Sequence, residues 1–189
     1  LYINNGDETF TEQSKAYGID KTIYSMGCNL GDLDNDGWLD FYLGTGAPNL
    51  STVVPNRMFR NVNGTHFEEV TSAGNFGHIQ KGHGVAFGDI DQDGDQDIYA
   101  VMGGAYEGDV FTNILYENPG FQNNWITIEL KGKETNQSVI GSRIEIELDN
   151  GRKIYRTVSS GGSFGSSSLQ QEIGLGQADS IKRLTIYWQ

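Results

Sequence analysis

"GDLDNDGWLD" occupies Gly31–Asp40 and "GDIDQDGDQD" occupies Gly88–Asp97, so one acidic decapeptide occurs twice, 57 residues apart. The same offset relates "LYIN" at Leu1–Asn4 to "MFRN" at Met58–Asn61 and "LYEN" at Leu115–Asn118. It also relates Phe10 to Phe67 and Gly27 to Gly84. A fixed period of this length marks a repeat architecture. One unit is present twice, and a third opens near Leu115.

Each unit reads as β. Short apolar and aromatic runs such as "GCNLGDL", "DFYLGTG", "RMFRNV" and "HFEEVT" are separated by Gly, Asn and Asp. The chain has 26 glycines and 3 prolines, which suits many tight turns. Four short strands per unit is the arithmetic of a propeller blade. From about Asn123 the pattern changes to period-two alternation in "WITIELKG", "SRIEIELDNG", "RKIYRTVSSGG" and "IKRLTIYW". The expectation is an all-β chain. Residues 1–120 form propeller-type repeats, two blades and part of a third, and residues 121–189 form an antiparallel, sandwich-like β domain. "GGSFGSSS" at Gly161–Ser168 reads as a connection.

The charge has an address. Of 25 acidic residues against 13 basic ones, with a net charge of -12, nine are Asp32, Asp34, Asp36, Asp40, Asp89, Asp91, Asp93, Asp95 and Asp97. So acidic a chain is a poor ligand for nucleic acid, whose phosphates are gripped by Lys and Arg. It is equally poor for an anionic membrane surface, and no apolar run reaches the roughly 18 residues of a membrane-spanning helix. The single cysteine, Cys28, excludes an intrachain disulfide and a cysteine zinc site.

Counted from its first aspartate, each decapeptide offers carboxylates at positions 1, 3, 5 and 9, and a glycine at position 6. Alternating carboxylates followed by a turn-forming glycine let a loop curl round one hard cation. An all-oxygen donor set suits Ca2+, which takes 6–8 oxygens at about 2.3–2.6 Å. The expected ligands are Asp32, Asp34, Asp36 and Asp40 with the backbone oxygen of Trp38. In the second loop they are Asp89, Asp91, Asp93 and Asp97 with the backbone oxygen of Asp95. Two Ca2+ ions are therefore expected. An EF-hand would close with Glu at position 12; here that position holds Leu43 and Ala100.

These loops, with "FGD" at Phe87–Asp89 and "GAP" at Gly46–Pro48, resemble the FG-GAP or VCBS repeat of integrin-type β-propellers. The resemblance covers about Leu1–Gly120 and implies Ca2+ in each loop. Residues 123–188 resemble the ASPIC/UnbV domain through "NNWITIELKG", "NQSVIGSRIEI", "GGSFGSSS", "IGLGQADSI" and "LTIYW". That domain often follows such repeats in secreted proteins, including the cartilage acidic protein group. The resemblance implies a secreted or cell-surface location.

Other signals are weaker. Gly161–Gly165 matches the G-x-S-x-G elbow, but no histidine follows Ser163 and no helix is expected after it. His78 and His83 face Lys21 and Met26 at the equivalent repeat positions, so they stand outside the repeating site. Asn49, Asn63 and Asn136 are glycosylation sequons. Two repeats cannot close a propeller, and open strand edges pair with other chains. Either a longer polypeptide or neighbouring subunits would complete the array. The reading is therefore a non-enzymatic, calcium-binding adhesion or structural module with protein partners or copies of itself, as a homo-oligomer or fibre. The alternative is an accessory or glycan-binding part of a larger secreted enzyme, using aromatics such as Trp38 or Tyr106.

Overall fold

The computed structural model describes residues 1–46, 54–104, 111–134 and 136–189. Among them there are fourteen strands, no helix and five small sheets, every pairing antiparallel. The GAP tripeptide beyond Gly46, the Asn49 sequon and Tyr106 lie outside the described residues.

The 57-residue period is visible strand by strand. β3 (Ser25–Gly31), β4 (Asp40–Thr45), β5 (Arg57–Val62) and β6 (His66–Glu69) form a four-stranded sheet in chain order. β7 (Lys81–Gly88), β8 (Asp97–Gly103) and β9 (Ile114–Tyr116) repeat its first three strands. The N-terminal hairpin of β1 (Tyr2–Asn4) and β2 (Phe10–Glu12) stands one period before β5 and β6. The second sheet's fourth strand should fall at residues 123–126. That segment instead begins β10 (Asn124–Ile128), which pairs with β13 (Gln171–Gly176). The last sheet is β12 (Lys153–Thr157), β11 (Arg143–Leu148) and β14 (Ile181–Tyr187), with β11 in the centre.

Alternation explains which faces are buried. In β11, Ile144, Ile146 and Leu148 are fully buried, and they meet Ile128 of β10, Ile154 of β12 and Ile173 of β13 in one cluster. The repeats have their own core: Tyr42 and Met58 from the first sheet pack with Val85, Phe87, Ile98, Ala100 and Met102 from the second. Each of the larger aliphatic, Phe and Met side chains contributes roughly 1.5–3 kcal/mol, so both halves have a real interior. β7 also packs against β3 and β4, which brings the loops that follow β3 and β7 side by side.

The glycine- and serine-rich segment does more than connect. Ser163 forms a two-way backbone pair with Cys28 of β3, N to O at 2.8 Å and 3.1 Å. Ser167 Oγ accepts from Asn29 Nδ2 at 2.8 Å. The segment is glycine-rich for lack of space. A Cβ on Gly162 would lie 1.9 Å from Cys28 O, and one on Gly165 would lie 2.0 Å from Val85 O. It is a strap laid across β3 and β7, and spacing along the chain carries no sign of that.

Candidate metal centre

The two acidic loops adopt one backbone conformation. Asn35 and Gly37 have φ of 55° and 89°, and Gln92 and Gly94 have φ of 64° and 96°. Positions 4 and 6 therefore both lie in the left-handed region, where glycine goes freely and asparagine with less strain than most residues. Hydrogen bonds repeat with the same period. Gly37 N donates to Asp32 Oδ2 at 3.0 Å, and Gly94 N to Asp89 Oδ2 at 3.0 Å. Trp38 N donates to Asp36 Oδ1 at 2.8 Å, and Asp95 N to Asp93 Oδ1 at 3.0 Å.

The curl brings the alternating carboxylates together. Oxygens of Asp32, Asp34 and Asp36 lie within 4.8 Å of one another, as do those of Asp89, Asp91 and Asp93. The aspartates at position 9 have a second task. Asp40 accepts from Asn61 N at 2.7 Å and Leu33 N at 2.8 Å, one on each oxygen. Asp97 does the same with Asn118 N at 2.8 Å and Ile90 N at 3.0 Å. Asp40 thereby clasps its loop to β5, and Asp97 clasps its loop to the segment just past β9. Trp38 and Asp95 occupy position 7, directly after the left-handed glycines.

A family model described as FG-GAP-like repeat matches residues 1–43 and 47–100, and one described as ASPIC and UnbV matches residues 132–189. The chain belongs to the FG-GAP-like repeat family. Its repeats are followed by an ASPIC and UnbV domain. No match was found among the curated proteins.

The loops of this FG-GAP-like chain fit a hard cation on their donor set, which is oxygen throughout. Burial adds to the case. It pushes the Asp40 carboxyl up to about 8 and raises Asp36 as well. Asp32 is pushed up to about 6 by burial, against the pull of Arg156. Such carboxyls hold a proton or need a cation to stay ionised. Asn35, fully buried, keeps its Oδ1 without a hydrogen-bond partner. Asp32, Asp34 and Asp36 would hold one ion, and Asp89, Asp91 and Asp93 another. A cavity of about 600 Å³, walled by Leu33, Asp34, Arg60, Phe76, Tyr116 and Phe121, gives access beside Asp34.

The ASPIC and UnbV segment clamps the first loop. Arg156 Nη2 donates to Asp32 Oδ2 at 3.0 Å, and Gly174 N donates to the same oxygen at 3.1 Å. Gly176 N bonds Asn35 O at 2.9 Å, and Arg152 lies over the Trp38 ring at 5.0 Å; ahead of the matched segment, Asn123 Nδ2 bonds Asp34 O at 2.7 Å. The loops also bond each other, Asn35 Nδ2 donating to Gly94 O at 3.0 Å and Asp32 N to Gln96 Oε1 at 2.7 Å. Arg60 Nε reaches Asp34 Oδ2 at 2.6 Å. Sequence reading missed Arg60, Arg156, Gln96 and Gly174. Arg60 and Gln96 carry a signal, because both break the repeat: Glu117 stands one period after Arg60, and Leu39 one period before Gln96.

The weaker signals fall elsewhere. Ser163 is exposed in the strap, with its backbone engaged by Cys28. His78 Nδ1 accepts from Gln80 N at 3.1 Å, away from both loops. Trp38 is half-buried beneath Arg152. Asn63 is exposed in the β5–β6 turn, and Asn136 is exposed with Ser138 Oγ donating to its Oδ1 at 3.0 Å.

Proposed function

We propose that this chain is a non-enzymatic module in which two Ca2+-stiffened β-propeller blades are braced by a C-terminal β domain, serving as a structural or adhesive part outside the cell. One observation carries the reading: three convergent aspartates in each of two loops with the same backbone and the same hydrogen bonds, 57 residues apart. Ca2+ supplies the positive charge that lets these carboxylates stay ionised side by side. The chain's own residues do the rest. Gly37 and Gly94 turn the loops, Asp40 clasps one to β5 and Asp97 the other to the segment just past β9, and the loops tie one sheet to its neighbour. Weak sites of this kind fill at extracellular Ca2+ levels, which supports a secreted or cell-surface setting. Partners would be other proteins or further copies of the chain, as a homo-oligomer or fibre.

The test is a thermal melt in chelator against 2 mM Ca2+. With Kd of about 10⁻⁴–10⁻³ M, mass action stabilises by roughly 0.7–1.8 kcal/mol per site. For a chain of this size that raises Tm by a few degrees. An unchanged Tm overturns the reading.

A further inference from the structure

The two loops share a backbone and differ in the charges around them. In the first, Arg156 holds Asp32 at 3.0 Å and Arg60 holds Asp34 at 2.6 Å. Asp32 Oδ2 alone accepts from Arg156, Gly174 N and Gly37 N. The second loop has an extra aspartate, Asp95, and among the described residues no Lys, Arg or His pairs with Asp89, Asp91 or Asp93. Where Gly37 meets Arg152 and Gly174, Gly94 meets the neutral ring of Trp125. Arg60 is replaced by Glu117 one period on.

Resting on the calcium reading above, we propose that the loops are ion sites of unequal strength, with Arg60 and Arg156 built in as competitors at the first. A divalent ion entering the first loop meets two guanidinium groups already drawing on its ligands. It gains less from those carboxylates and is repelled by the fixed positive charge. An ion entering the second loop meets Asp89, Asp91 and Asp93 with no arginine paired to them. The second loop therefore fills first, and the first fills only at higher calcium. One unit charge near a divalent ion at a hydrated site changes affinity roughly three- to tenfold.

The test is calorimetric titration of the intact chain with CaCl2 at fixed ionic strength. Wild type should show two sites whose affinities differ by about tenfold or more. Asp91→Ala should delete the tighter site. Arg60→Gln should tighten the weaker site roughly three- to tenfold and leave the tighter one unchanged, while Arg60→Lys keeps the wild-type value. The Arg60 side chain is 45% exposed, so the substitution should leave the fold intact, as an unchanged far-UV spectrum would verify. Two equal sites, loss of the weaker site in Asp91→Ala, or no response to Arg60→Gln overturns the inequality alone. No binding heat in wild type, together with an unchanged Tm, overturns the calcium reading and this proposal with it.

Discussion

Arg156 and Asp32 form a buried ion pair across 124 residues of sequence, Nη2 to Oδ2 at 3.0 Å. Their side chains are 8% and 0% exposed. The pair joins the C-terminal sheets to the first acidic loop, and both partners are desolvated. Removing one leaves the other charge buried alone, which costs about 3–5 kcal/mol. Arg156→Met should therefore lower the unfolding free energy by that order in chelator. Adding Asp32→Asn should recover part of the loss, because the orphaned charge is then gone. Denaturant titration of the two single variants and the double variant checks this, and strict additivity would refute the coupling.

The clasp and the ion ligands can be separated. Asp97 uses both oxygens on backbone N–H groups of Asn118 and Ile90, whereas Asp91 is exposed and its carboxylate bonds only within its own loop, to the backbone of Asp93. Asp97→Asn turns an acceptor into a donor facing an N–H and should cost about 1–3 kcal/mol, with or without Ca2+. Asp91→Ala should cost stability only when Ca2+ is present. Melts of both variants in chelator and in 2 mM Ca2+ separate the two roles.

The strap gives a contrast between neighbours. A Cβ at Gly165 would meet Val85 O at 2.0 Å, a backbone atom that cannot swing aside. Gly165→Ala should cost about 2 kcal/mol or more, or lift the strap off β3 and β7 and expose it to protease. Ser163→Ala touches an exposed side chain whose backbone does the bonding. Its stability should stay within about 0.5 kcal/mol of wild type, and any hydrolytic activity should be unaffected.

Much of this is legible in the sequence for a local reason. A strand, a tight acidic loop and the next strand are contiguous, so their chemistry is written in consecutive residues and repeats when the unit repeats. The runs at Asp40–Gly46 and Asp97–Gly104 contain β4 and β8, and the run at Gly27–Leu33 covers most of β3. The rest is long-range. Nothing near Arg156 announces Asp32, and "QEIGLG" at Gln171–Gly176 lacks strand-like alternation. It is nonetheless β13, with a glycine where a Cβ would meet Asn35 C at 2.2 Å. The departure of β10 from the repeat is equally hidden, because residues 123–126 suit either sheet and tertiary pairing decides between them.

Acid should weaken the first repeat sheet through Glu69 at the end of β6. Burial alone would raise this carboxyl. The hydrogen bond from Lys21 and the charges of Arg57, at 3.2 Å, and Lys21 outweigh it and hold Glu69 below its ordinary value of 4.5. Folding therefore favours the ionised form. The unfolded chain binds the proton more readily, so stability rises with pH through this window. The contribution is present above pH 4.5 and is lost as pH falls through the lower folded value. Asp32 and Asp40 act with the opposite sign in chelator, since their raised values favour the protonated folded state, so wild type alone does not isolate Glu69. The informative quantity is the difference in Tm between wild type and Glu69→Gln across pH 3–6. It should be positive near pH 6, where Lys21 and Arg57 have lost their partner, and shrink toward zero as acid neutralises Glu69. A difference that stays flat across this range would show that the three charges do not act together.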